Sequence, residues 1–170
     1  MSAVPATLED LPEMAKCAVT INVNGTEHPM QVDAPDRLID VLRDQLSLKS
    51  VKEGCSTGDC GICAVLVDGK LVNSCLMLAA QCDGRRVTTL EGLLEDPVMK
   101  RMQGSFIANN AAQCGFCTPA MLMASWDLAR HSPEPSSEEI KVAISGILCR
   151  CTGYYQIIDS VRQGCEKGGR

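Results

Sequence analysis

Over residues 17–25, CAVTINVNG, apolar side chains occupy every second position at Val19, Ile21 and Val23. Period two puts them on one face of a strand. Asn24-Gly25 then gives a hairpin turn signal. A second short strand is expected over 28–33. In DRLIDVLRDQL, residues 36–46, the period changes: Leu38, Ile39, Leu42 and Leu46 fall at helical spacing. A short apolar strand follows over 62–67, Asp68-Gly69 turns it into Lys70, Leu71 and Val72, and residues 86–89 close the set. One helix on a sheet in about 75 residues is a small α+β domain.

The second half has a helical period throughout. Asp96-Pro97 is an N-cap with proline in the first turn, and Val98, Met102 and Phe106 form the stripe behind it. Thr118-Pro119 repeats that start ahead of Leu122, Trp126 and Ala129. Ser136 with Glu139 is a capping box, opening a helix expected to bury Ile140, Ala143, Ile144, Ile147 and Leu148. The last helix carries Ile157, Ile158, Val161 and Cys165. Four amphipathic helices imply a small bundle, with HSPEPSS (131–137) linking its second and third members. The boundary falls between Glu91 and Pro97, which divides the chain into an arm (1–16), a first domain (17–93) and a helical domain (94–170).

Of the 170 residues 45% are hydrophobic but only 3% aromatic, so the cores must be aliphatic, Met and Cys. Net charge is -5 and there is no Lys/Arg run, which argues against nucleic acid or an anionic membrane as partner. No apolar run is long enough to span a membrane. The start, MSAVPATLEDLPEMAK, carries acids and prolines where a secretory signal has cations and an apolar block. It is expected to be a polar arm or a tether to a partner, on a cytoplasmic chain.

Eleven cysteines change the picture most. Disulfides need an export signal, the count is odd, and the cysteines are grouped. Cys55-x4-Cys60-x2-Cys63, followed by Cys75 after 11 intervening residues, is the plant-type [2Fe–2S] ferredoxin spacing. Three thiolates from nine residues need a backbone that wraps the cluster, and Gly54, Gly58 and Gly61 are placed to allow it. Zinc is the rival for any four-thiolate set. The second set pairs Cys114-x2-Cys117 with Cys149-x-Cys151, with 31 residues between the pairs. Its spacing alone leaves zinc and iron–sulfur equally open. Each pair lies ahead of an expected helix N-terminus, whose positive end suits an anionic cluster. Arg150 adds a cation.

EGCSTGDCGIC (53–63), QCGFCTP (113–119) and LCRCTGY (148–154), in that order, resemble the small iron–sulfur subunit of the molybdenum hydroxylases, the xanthine oxidase and carbon monoxide dehydrogenase family. The resemblance covers most of the chain, from about Val19 to Val161. It implies an α+β fold: a β-grasp plant-type ferredoxin domain holding one [2Fe–2S] cluster by Cys55, Cys60, Cys63 and Cys75, then a four-helix bundle holding another by Cys114, Cys117, Cys149 and Cys151. It also implies that Gln113 and Cys151 contact a molybdenum–pterin cofactor on a separate large subunit. Electrons would pass from molybdenum through the bundle cluster and then the ferredoxin-like cluster. They would go on to FAD on a medium subunit or to another acceptor. The chain departs from the family at Ser56 and Ala120, where glycine is usual, and at Ile147, where asparagine is usual. Ser56 is expected to alter loop geometry or hydrogen bonding to sulfur.

The chain has no dinucleotide fingerprint and is too short for a molybdopterin core, so no substrate turnover is expected from it alone. Two other classes remain: a zinc-stapled adaptor, and an independent ferredoxin that would not need the helical half. Cys17, Cys82 and Cys165 are left over as structural residues, with Cys165 expected to be exposed and oxidisable. His28 and His131 are expected at the surface, Met121 and Met123 in the core, and Trp126 in the core or an interface.

Overall fold

The computed structural model describes residues 15–166. The arm expected over 1–16 falls outside them except at its end, where Lys16 already opens a strand. The fold is mixed, a five-stranded sheet followed by helices.

Strands β1 (Lys16–Val23) and β2 (Thr26–Asp33) form an antiparallel hairpin through Asn24-Gly25, both at positive φ. Helix α1 (Leu38–Asp40) runs on as a π-helical turn, Val41–Gln45, and together they bury Leu38, Ile39, Val41 and Leu42. Strands β3 (Ala64–Val67) and β4 (Lys70–Asn73) form the second hairpin. Strand β5 (Arg86–Thr88) lies parallel to β1 and antiparallel to β3, giving the order β2-β1-β5-β3-β4.

The helices are α2 (Pro97–Ala108), α3 (Thr118–His131), α4 (Ser137–Ile144) and α5 (Tyr155–Cys165). Helix α2 packs on α3 and α5, and α4 packs on α3 and α5. Asp96 caps α2 by accepting from the N–H groups of Val98 and Met99, and the same oxygen takes the Trp126 indole N–H at 2.9 Å. One carboxylate thus fixes the start of α2 against α3. Methionines 99, 102, 121 and 123 fill the centre at 1% exposure or less, as unbranched side chains do where aromatics are scarce. The Ser136–Glu139 capping box forms as expected. Helix α4 ends sooner than the periodicity implied, at Ile144. Ile147 is still buried, but from a turn, and Leu148 is 53% exposed.

Every residue of β3 is buried, and the strand serves two cores. Val65 and Val67 join β1, β2 and α1, while Ala64 and Leu66 join the helices together with Cys60 and Ile62. Alternation along one strand therefore divides the apolar matter between the two halves of the chain.

The first half is also tied together by a polar knot. Glu91 accepts from the Ser50 N–H at 2.9 Å, the Ser50 hydroxyl at 2.5 Å and the Thr89 hydroxyl at 2.6 Å, and Asn24 brackets Thr89. Burial pushes the Glu91 carboxyl up, but these donors outweigh it and hold it below its ordinary 4.5. A depressed native value adds stability above the ordinary pKa, which is lost as pH falls through the native one. Glu91→Gln is therefore expected to cost about 1–2 kcal/mol at neutral pH. It should also flatten the acid limb of urea-midpoint-against-pH measurements below about pH 4.5. A variant with the wild-type acid limb would exclude this role for Glu91.

Candidate metal centres

The first loop is built by backbone in unusual conformations. Ser56, Gly58 and Gly61 have φ of 60°, 87° and 65°. Gly54 is needed for a different reason, since a Cβ there would stand 2.7 Å from the Cys60 Sγ. Ser56 bears its left-handed conformation with its hydroxyl turned away from sulfur. It donates to Glu53 at 2.7 Å, and Glu53 also takes Arg37 at 2.7 Å. Arg37 is in turn bidentate to Asp40 of α1. Of the two effects expected of Ser56, loop geometry is the one seen: the serine ties the loop to α1. The Cys55 sulfur accepts instead from the N–H groups of Thr57 and Cys60, both at 3.4 Å. The Thr57 side chain, then these amides, hold the Cys55 thiol down at about 6.

Cys75 arrives from beyond the second hairpin. Asn73 donates to the Gly58 carbonyl at 3.1 Å and Ser74 to the Cys63 carbonyl at 2.7 Å, which lays the end of β4 on the loop. Cys75 thus joins Cys55, Cys60 and Cys63 round one loop, with the Cys60 N–H on the Cys55 sulfur and Cys75 against Cys63. Burial pushes Cys60 up and Cys75 to about 11.

The second set lies in the helical half. Cys117 is the residue before α3, while Cys149 and Cys151 lie on a loop that turns through Gly153 at φ 64° and Tyr154 at φ 72°. Helix α5 begins only at Tyr155, so Cys151 stands further from a helix start than the sequence suggested. The thiols meet across the motifs: Cys114 Sγ lies 3.5 Å from Cys151 Sγ, and Cys149 acts on the Cys117 thiol, helping to raise it. Burial pushes Cys117 up to about 12. The exposed pair splits, with Cys114 held down by the Phe116 N–H and Cys151 raised by its bond to Cys114, as in two thiols sharing one proton. These sulfurs border a cavity of about 470 Å³ together with Ile62, Phe116, Leu148 and Arg150.

Two residues that the sequence reading left unassigned shape this loop. The Thr152 hydroxyl lies 3.1 Å from the Cys149 sulfur and accepts the Tyr154 N–H at 3.2 Å. The Tyr154 hydroxyl accepts the Cys149 N–H at 2.8 Å and donates to the Ile147 carbonyl at 3.3 Å. Burial raises the Cys149 thiol, but Thr152 and nearby amides outweigh it and the thiol lies below its usual range. Both residues follow a candidate ligand within five positions, which was the available signal.

The two loops touch through main chain. The Leu148 N–H donates to the Cys60 carbonyl at 2.9 Å, and a Cβ on Gly61 would run into the Gly146 carbonyl.

The donors fit two-iron clusters. A zinc site gathers its sulfurs about 2.3 Å from one point. Here each loop offers four thiols, and in the second the Cys114 and Cys151 sulfurs face each other across the motifs at 3.5 Å. A [2Fe–2S] cluster takes two ligands on each of two irons.

Gln113, Cys114 and Cys151 are exposed. Cys82 and Cys165 are buried at 0% and 3% exposure, with thiols pushed up to about 11 by that burial. The expectation of an exposed, oxidisable Cys165 is thus corrected: α5 turns it into the helical core. Cys17 and His28 are half-buried and His131 is exposed.

Two family models match in succession, a "2Fe-2S iron-sulfur cluster binding domain" over residues 21–89 and a "[2Fe-2S] binding domain" over 89–162. The nicotinate dehydrogenase small FeS subunit of Eubacterium barkeri is 44% identical over 91% of this chain and 98% of its own length. The xanthine dehydrogenase iron-sulfur-binding subunit of Escherichia coli O157:H7 is 40% identical over 88% of this chain and 94% of its own length. Among solved structures, a chain of quinoline 2-oxidoreductase from Pseudomonas putida 86 matches with a TM-score of 0.81 and 40% identity, over 88% of this chain and 93% of that one.

Proposed function

This chain belongs to the small [2Fe–2S] electron-transfer subunits of the molybdenum hydroxylases, and from that premise we propose which residues hold its clusters and face its partners. Cys55, Cys60, Cys63 and Cys75 hold one cluster, with Cys55 and Cys60 on one iron and Cys63 and Cys75 on the other. Cys114, Cys117, Cys149 and Cys151 hold the second, paired across the motifs as Cys114 with Cys151 and Cys117 with Cys149. The observation that carries this is the gathering of four thiols in each loop, with Cys114 and Cys151 3.5 Å apart across the motifs. The first half is read as a β-grasp ferredoxin domain and the second as a four-helix bundle, divided at 93/94. The strand order and the mutual packing of α2 to α5 support that reading.

A bound [2Fe–2S] cluster supplies one-electron acceptance and release. The chain's own contribution is ligation, insulation and placement. Cys117 and Cys149 sit on the inner side of the second loop, while Cys114 and Cys151 lie at the surface beside Gln113. This supports a large molybdopterin-carrying subunit docking there, with Gln113 and Cys151 against the pterin. Phe116 and Leu148 line that spot at 44% and 53% exposure, apolar surface suited to a permanent partner. The first cluster then faces the acceptor, FAD on a medium subunit, across Leu76 and Leu78 at 61% and 39% exposure. All eleven cysteines are free of disulfides, which supports a cytoplasmic setting. Among the described residues no helix is long and apolar enough to cross a membrane.

The test is metal and spin. Purified full chain is expected to be brown, to carry about four irons, and on reduction to give two distinguishable [2Fe–2S] EPR signals. Colourless protein loaded with zinc would sink the assignment.

A further inference from the structure

We propose that Thr152 sets the reduction potential of the second cluster through a hydroxyl hydrogen bond to the Cys149 sulfur, an inference that rests on the ligand assignment above. The oxygen–sulfur distance is 3.1 Å. The direction of this bond follows from valence. A ligating Cys149 has no proton to give. The Thr152 oxygen already accepts the Tyr154 N–H at 3.2 Å, so its single proton is free for the sulfur. Thr152 is only 8% exposed, so water does not compete for that proton.

The ligand residue's own N–H is not open to this sulfur. The N–H of Cys149 is committed to the Tyr154 hydroxyl at 2.8 Å, and that hydroxyl spends its own proton on the Ile147 carbonyl. The Thr152 hydroxyl stands first among the donors at this sulfur, ahead of the Thr152 and Cys151 N–H groups, and it is the one that a side-chain substitution deletes. Tyr154 acts as the positioning residue: its left-handed backbone brings its N–H back onto Thr152.

The sign is fixed by charge. Reduction adds an electron to an already anionic centre, and a donor on the ligand sulfur stabilises that added charge, raising the potential. Removing it lowers the potential of the second cluster alone.

The experiment is an EPR-monitored redox titration of full-length Thr152→Val and Thr152→Ser. In the valine variant the iron content and both signals are expected to persist, the midpoint of the second cluster to move negative, and that of the first to stay. Serine keeps the hydroxyl and is expected to restore the wild-type midpoint. An unmoved second midpoint in the valine variant overturns the proposal, and so does an equal shift in the serine variant, which would make threonine's role one of packing. A shift confined to the first signal would overturn the ligand assignment instead. If the valine variant does not retain its second cluster, double resonance on the wild-type cluster after brief exposure to D2O decides. A coupled deuteron that exchanges as fast as a hydroxyl supports the proposal, and its absence overturns it.

Discussion

Serine at Cys117 is expected to leave the chain with about two irons in place of about four and to erase one EPR signal, the other keeping its line shape. Cys117 is 7% exposed, immediately precedes α3 and sits among the helical core residues. Its thiol is pushed up to about 12 by burial, so the metal-free site holds it protonated and cluster assembly must displace that proton. A serine hydroxyl gives up its proton far less readily. Cys82→Ser is the matched control, since Cys82 is fully buried in the other core and outside both sets. It should cost stability and leave iron unchanged. Full iron in Cys117→Ser, or iron lost from Cys82→Ser, would overturn the assignment of both residues.

Alanine at Gly61 is the second large effect. The residue has φ 65°, and a Cβ would enter the Gly146 carbonyl. Strain at a left-handed position costs about 1 kcal/mol. The collision is with backbone, so no side chain can turn aside. The loops must part, taking the Leu148 to Cys60 hydrogen bond with them. A destabilisation on the order of 3–4 kcal/mol is expected by urea unfolding. Gly115→Ala separates the two causes, because φ there is 81° but nothing lies within 4 Å of the added carbon. It should cost only about 1 kcal/mol. Equal losses at the two positions would remove the main-chain contact as the cause.

Much of this architecture is written in short-range pattern. Period two at Val19, Ile21 and Val23 and the Asn24-Gly25 turn specify the first hairpin locally, and Asp96 and Ser136 announce their helices by capping chemistry. The features that escaped are set by tertiary partners. The apolar run ending in β3 is uniform because both faces are covered, and uniformity does not reveal that one face belongs to the helices. The early end of α4 is set by the turn that delivers Leu148 to Cys60. Spacing groups Cys114 with Cys117 and Cys149 with Cys151, whereas the thiols associate the other way, across two loops that meet only in the fold. Thr152 was unread because its role depends on a left-handed Tyr154, a conformation that a tyrosine does not advertise.

Where Gly61 meets Gly146 and Cys60 accepts from Leu148, the two loops touch through main chain. Electron tunnelling falls steeply with gap width, and here the gap is held by peptide units that every sequence shares. Side chains around either centre can drift and re-tune its driving force while the hop length stays as it is. Selection can therefore fit this small subunit to one oxidation chemistry after another without rebuilding the wire.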